Sequence, residues 1–187
     1  MNVYTGNTLD TWTCSRCGQE HNGTPQSFAF RAPWPWHITP KPQREIHCTL
    51  DSDYCILFNE DFFVRGCLEI PIIGNDEPFI WGIWVSLSKE HFEQYRTHPD
   101  PVEHQQPYFG WLCSRIQMYP DTLLLKTHVH SREGLRPYIE LEPTDHPLAL
   151  EQRNGITRER AREIAELAEH KWLHPRWDEK ELYGSAS

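Results

Sequence analysis

The chain has 187 residues, an aromatic content of 12% that includes 8 Trp, and a formal net charge of −9 from 18 Lys and Arg against 27 Asp and Glu. This charge repels polyphosphate, so it argues against a general nucleic-acid or anionic-membrane binder and favours a basic partner. The aromatic content excludes a disordered chain, and no apolar run reaches the roughly 18 residues of a membrane span.

The N-terminal residues 1–7 contain neither the basic segment nor the apolar stretch of a secretory signal, so we expect a cytoplasmic protein. In that compartment the 6 cysteines are expected to stay reduced. From the length we expect a single domain at 11–172, with tails at 1–10 and 173–187.

The strongest local motif is the Cys-x-x-Cys pair Cys14 and Cys17, followed by Gly18, within a segment at 12–23. Two thiolates at this spacing can bind one ion from a tight turn, and a glycine just behind them relieves the backbone. The pair therefore predicts a structural zinc knuckle, which needs further ligands because no second Cys-x-x-Cys follows. A metal-free turn and a redox pair are the alternatives.

Several groups elsewhere in the chain could complete the predicted zinc site. His128 and His130 are attractive because alternate residues of a strand share one face, so both imidazoles can reach the same ion. The alternative for this pair is an ordinary exposed or hydrogen-bonded strand histidine. The remaining candidates are His21, His47 with Cys48, and Cys113.

A stretch rich in proline and tryptophan at 32–36 follows the knuckle. Its prolines disfavour a helix and predict an extended connector. Trp34 and Trp36 in this stretch could contact a partner, since a rigid segment presents their rings at low entropic cost, but packing onto their own domain is favoured.

Runs rich in β-branched and aromatic residues predict strands at 54–58, 62–70 and 79–87. The short polar links between these strands predict antiparallel hairpins. Ser88 is a suitable N-cap for a short helix at 89–97.

Further strands are predicted at 108–114, 123–130 and 136–142, followed by a short helix at 146–154 and a long amphipathic helix at 158–172. These elements predict an α+β fold in which an antiparallel sheet packs against the C-terminal helix. The apolar stripe expected to face the core comprises Ala161, Ile164, Ala165, Ala168 and Trp172.

The chain also contains acidic residues that could serve chemistry. Glu140 and Glu142 share one face of a predicted strand and could serve acid–base chemistry, although a solvated strand face is the favoured explanation. Asp145 and His146 adjoin each other, but Thr144 or Asp145 is better interpreted as the cap of the following helix. The sequence contains no hydrolase nucleophile elbow, phosphate loop or dinucleotide fingerprint.

Several sequence blocks together resemble a bacterial family, domain-of-unknown-function family 2199 (DUF2199), over about Trp12 to His170. The resemblance implies a compact bacterial intracellular domain and carries no activity, substrate or catalytic residue with it. The blocks are 12–18 (WTCSRCG), 62–71 (FFVRGCLEIP), 81–88 (WGIWVSLS), 108–112 (YFGWL) and 136–147 (RPYIELEPTDHP).

The function that these features favour is non-enzymatic protein binding, for example as an immunity protein that neutralises a basic toxin. Its cofactor would be a structural zinc ion at Cys14 and Cys17, and no catalytic residue is assigned. The alternative is a metal-dependent hydrolase in which the same cysteines and one or more of His128, His130 and His146 leave an open position for water.

Overall fold

A computed structural model describes residues 11–14, 18–23, 26–101 and 106–172 of the chain. Both predicted tails, at 1–10 and 173–187, lie outside the described residues. No helix within the described ranges is both long and apolar enough to cross a membrane.

The strands are β1 (Thr11–Thr13), β2 (Glu20–Asn22), β3 (Ser27–Ala29), β4 (Cys48–Leu50), β5 (Tyr54–Leu57), β6 (Asp61–Ile70), β7 (Phe79–Leu87), β8 (Tyr108–Leu112), β9 (Lys126–Arg132) and β10 (Leu135–Leu141). The helices are α1 (Trp34–Ile38), α2 (Lys41–His47), α3 (Lys89–Thr97), α4 (Pro147–Asn154) and α5 (Arg158–Trp172).

The expected mixture of strands and helices is confirmed, and the β5–β6–β7 order of antiparallel hairpins is present as predicted. The α3 helix begins where its cap predicts, because the Ser88 side chain accepts a hydrogen bond from the backbone N–H of His91. The α4 helix is capped by His146, whose Nδ1 accepts from the backbone N–H of Leu148, and not by Thr144 or Asp145.

The predicted antiparallel sheet is confirmed in part, because the sheet is closed into a barrel and contains two parallel pairings. Strands β6 to β10 form a five-stranded barrel, because β10 pairs in parallel with β6 as well as antiparallel with β9. Strand β3 also adds to β7 in parallel. Link lengths predict only which consecutive strands are neighbours, so they could not reveal a pairing between Tyr138 and Cys67.

The barrel interior and the helices on it share one large apolar core. Val64, Leu68, Ile83, Val129 and Ile139 are fully buried within it. Burying a side chain of this size stabilises the fold by about 1.5–3 kcal/mol relative to leaving it exposed. Ala161, Ile164 and Ala168 of α5 belong to this core and Ala165 is also fully buried, in agreement with the predicted stripe. The side chain of Trp172, the last residue of that stripe, lies outside the described residues.

A second, smaller apolar cluster lies on the other face of β7, around Trp84. Alternation along β7 places Trp81 in the large core and Trp84 in the small one, and both are fully buried. The cluster comprises Cys55, Leu57, Phe63, Trp84 and Cys113, with Phe30, Trp36, Cys48 and Leu50 packed against it.

The stretch at 32–36 is not an extended connector, because α1 starts at Trp34 after the N-cap Pro33. Proline is tolerated in the first turn of a helix, where its missing N–H would have no helical partner. Trp34 lies under the guanidinium of Arg115, 4.3 Å from its ring centre, and Trp36 packs onto the small cluster. Both tryptophans therefore pack on their own chain, as favoured.

Candidate functional site

The candidate site is the solvent-facing side of β8, β9 and β10, where the two predicted strand histidines lie. Along β9, Thr127 and Val129 are buried, whereas His128 and His130 are half-buried and share the opposite face. This is the arrangement that period-two alternation predicts. We call this side of the barrel the outer face. Its residues are Phe109, Trp111, Lys126, His128, His130, Glu140 and Glu142.

Each imidazole on the outer face has a carboxylate partner. His130 Nε2 lies 2.9 Å from Glu140 Oε2, and His128 Nε2 lies 3.7 Å from Glu142 Oε1. Lys126 Nζ is also 3.7 Å from Glu142 Oε2. The two predicted carboxylates and the two predicted histidines therefore come together, but as separate pairs on an open surface.

Two aromatic side chains, which were not predicted as site residues, stand beside these pairs. Phe109 and Trp111 alternate with the buried Tyr108, Gly110 and Leu112 along β8, and each is 38% exposed. Their rings meet edge to face with centres 5.2 Å apart, and the Phe109 ring lies 6.5 Å from that of His128. The same alternation that identified the histidine face would have identified this pair, had it been applied to 108–112.

Cys14 lies at the start of the predicted zinc knuckle. It is buried and follows β1, and the backbone N–H of Gly18 donates to its carbonyl oxygen at 2.9 Å, with Gly18 in the left-handed region at φ 69°. Cys17 lies outside the described residues, so the ligand pair stays a prediction. Within 11–14, 18–23, 26–101 and 106–172, no group of three or more His, Cys, Asp or Glu is placed to hold a metal ion.

The other candidate ligands occupy structural positions. Cys113 is buried in the small cluster, and burial raises the pKa of its thiol to about 11, which disfavours the thiolate that zinc needs. Cys48 packs against the same cluster, and the His47 ring lies 6.0 Å from that of Phe58. The side chain of His21 lies outside the described residues.

A second polar group lies where the turn before β5 meets the β9–β10 hairpin. Arg136 Nε donates to Asp53 Oδ1 at 2.6 Å, and the guanidinium groups of Arg65 and Arg136 both donate to the Ser52 carbonyl. Partial burial opposes ionisation of Asp53, but hydrogen bonds from Ser52 and Arg136 and the charge of Arg136 outweigh it, so the Asp53 pKa lies below its ordinary value. This turn holds the hairpin and offers no open ligand position.

One surface depression lies away from the outer face, between α2 and the β5–β6 turn. It has a volume of about 430 Å³ and is lined by Gln43, His47, Phe58 and Asn59. No cluster of ligating or catalytic groups lines it, so the outer face is the better candidate site.

Comparison with known proteins agrees with the resemblance noted above. No curated protein and no solved structure matches the chain. The family model described as "Uncharacterized protein conserved in bacteria (DUF2199)" matches residues 13–156, which run from the end of β1 to just beyond α4. Since this range covers most of the sequence, the chain belongs to the DUF2199 family of bacterial proteins.

Proposed function

We propose that the protein is a non-enzymatic protein-binding domain that contacts a basic partner through the outer face. The observation that carries the proposal is the exposed edge-to-face pair of Phe109 and Trp111, with the carboxylates of Glu140 and Glu142 on the same face. A neutralising partner of a basic toxin is the biological role that fits this chemistry.

Aromatic side chains are enriched at the centres of protein interfaces because they bury a large area with few rotatable bonds. Phe109 and Trp111 stand on a strand of a closed barrel, so their backbone is already ordered before a partner binds. Pre-ordering reduces the entropy lost on association. The pair is therefore suited to serve as a binding anchor.

The net charge supports a basic partner. At −9 the chain attracts a basic protein over several ångströms and speeds its association, most strongly at low salt. Among the residues that define the outer face, the fixed positive charge is Lys126, which lies beside Glu142. A net negative charge repels nucleic acids and anionic membranes, which bind positively charged proteins.

We also propose that Cys14 and Cys17 hold a structural zinc ion. The support is that Cys14 follows β1 and that its carbonyl oxygen accepts a hydrogen bond from the Gly18 N–H at 2.9 Å, ahead of β2. The Cys14 backbone N–H also donates to the Gln19 carbonyl at 2.9 Å, which tightens the turn. His128 and His130 are the weaker candidates for further ligands, because each already has a carboxylate partner.

The test of binding is affinity capture from the bacterium that encodes the chain, with quantitative mass spectrometry. The wild-type bait is compared with the double variant Phe109→Ser/Trp111→Ser. The control is Ile73→Ser, which removes an apolar side chain that is 62% exposed and lies outside the outer face. We expect a basic protein that the wild type and Ile73→Ser retain and the double variant loses. If all three baits retain the same proteins, the outer face is not the contact surface.

The test of the metal is elemental analysis of protein purified without added metal. We expect about one zinc ion per chain, lost in Cys14→Ser, and a lower melting temperature after chelation. Cys67→Ser, which changes a half-buried thiol of β6, is the control and should keep the zinc. Metal-free wild-type protein whose melting is unchanged by a chelator would remove zinc from the proposal.

A further inference from the structure

Leu124 has an unusual backbone conformation for its side chain. Its φ is 62°, in the left-handed region, and its side chain is 67% exposed. This region is unfavourable for a branched side chain and is ordinarily occupied by Gly, Asn or Asp. Because most of the leucine side chain is exposed, its burial does not offset the cost of this backbone conformation. The stability of the folded chain therefore does not explain why a leucine is present here.

The other non-glycine residues with positive φ in the described ranges differ from Leu124. Asn59 is a residue type that tolerates this conformation, and Phe58 packs against the His47 ring with centres 6.0 Å apart. Leu124 is thus the position at which neither residue type nor burial accounts for the strain.

Leu124 is joined by a backbone hydrogen bond to Leu112, the residue that follows Trp111 at the end of β8. Its backbone N–H donates to the Leu112 carbonyl at 2.8 Å, and the Leu112 N–H donates to the Leu125 carbonyl at 2.8 Å. The Leu125 side chain packs against the core, whereas those of Leu124 and Lys126 on either side of it are exposed. Leu124 and Lys126 are therefore the exposed residues of the segment that pairs with the end of β8, and Lys126 is the register partner of Trp111.

We propose that Leu124 is a specificity-determining contact residue, retained in a strained conformation to bind a basic partner segment that presents apolar side chains. This inference rests on the proposed function. The charge near the leucine agrees with such an occupant. Asp121 accepts a hydrogen bond from the Leu123 N–H, Glu142 lies beside Lys126, and the chain carries a net charge of −9. Phe109, Trp111 and Leu124 would supply the apolar contacts, and the carboxylates would select a positive charge.

Two matched variants separate this role from a structural one. Leu124→Asn relieves the backbone strain, so its melting temperature should rise by about 2–4 °C. Leu135→Asn makes the same substitution at a leucine that is 65% exposed but has no positive φ, and its melting temperature should stay the same. A fall in the melting temperature of Leu124→Asn would overturn the strain argument.

Binding is measured with a synthetic amphipathic peptide of lysine and leucine, and with the same peptide carrying glutamate for lysine. The reporter is the indole N–H signal of Trp111 in a two-dimensional NMR spectrum, assigned from Trp111→Phe. We expect the lysine peptide alone to shift this signal, and Leu124→Asn to weaken binding about tenfold. Leu135→Asn should bind as the wild type does.

The outcomes distinguish this inference from the proposed function. If the wild type binds neither peptide, or binds both equally, the basic partner chemistry fails and the role of Leu124 fails with it. If the wild type binds the lysine peptide and Leu124→Asn binds it equally well, only the role of Leu124 is overturned.

Discussion

Several charged side chains on the outside of this barrel lie beside groups of opposite charge. On the outer face the histidines lie beside Glu140 and Glu142, and at the turn before β5 Asp53 lies beside Arg136. Half-exposed pairs of this kind contribute little stability each, because solvent screens them. Their main effect is to orient neighbouring segments, and Asp53 offers a way to measure it.

Acidification should remove the contribution of Asp53. Its pKa in the folded chain lies below the ordinary value of 3.8, so its stabilising effect is complete above that value and is lost as the pH falls through the folded pKa. Urea unfolding should show that Asp53→Asn is less stable than wild type at pH 7 and that the difference narrows at pH 3. Asp76→Asn, at an exposed carboxylate, is the control. An undiminished difference at pH 3 would show that Asp53 acts through something other than its charge.

At the scale of elements, one buried side chain joins α4 to the barrel. Gln152 Oε1 accepts from the Leu141 N–H at 2.8 Å, and Nε2 donates to the Ile139 carbonyl at 2.7 Å. These backbone groups lie at the end of β10. The amide of Gln152 gives the Leu141 N–H and the Ile139 carbonyl a hydrogen-bond partner inside the protein. The α4 helix is also tied to α5, through Glu151 and Arg160 at 2.9 Å.

Removing this amide should loosen the attachment of α4. Gln152→Ala leaves a buried N–H and a buried carbonyl without partners, and we expect a loss of about 2–4 kcal/mol in the free energy of unfolding. Gln94→Ala, on an exposed face of α3, should cost less than about 0.5 kcal/mol. Denaturant unfolding measures both variants, and equal losses would mean that the buried amide has no special role.

At the scale of the whole molecule, barrel closure depends on a close approach of β6 and β10. A Cβ atom on Gly66 would lie 2.5 Å from Ile139 Cδ1 and 2.9 Å from the Pro137 carbonyl oxygen. Only a glycine lets the two backbones come this near without displacement. The closed barrel in turn supports the outer face, because β8, β9 and β10 form one side of it.

Gly66→Ala should therefore weaken closure and lower the free energy of unfolding by about 1–3 kcal/mol. Gly82→Ala meets the Ala29 side chain on the short edge strand β3, which can shift outward, so it should cost less. Chemical denaturation provides the comparison. A larger loss for Gly82→Ala than for Gly66→Ala would contradict the importance of the β6–β10 contact.

The parts of the fold that depend on local pattern could be predicted. Runs of β-branched and aromatic residues predicted β5 to β10 but not the three-residue strands β1 to β4. Alternation predicted the shared face of His128 and His130, and period-3.6 spacing predicted α5. Barrel closure could not be predicted, because it depends on one long-range pairing between Tyr138 and Cys67. The α1 helix was not predicted, because the prolines at 32–36 indicated an extended segment. Proline is compatible with the first turn of a helix, and the sequence alone does not show where that turn begins.

The most direct test of the proposed contact surface is hydroxyl-radical footprinting of the chain with and without its captured basic partner. Phe109, Trp111 and Leu124 should be oxidised in the free protein and protected in the complex. Ile46 and Ile73, which are 75% and 62% exposed away from the outer face, should be oxidised equally in both states. Protection of Ile46 or Ile73 with continued oxidation of Phe109 and Trp111 would contradict the account.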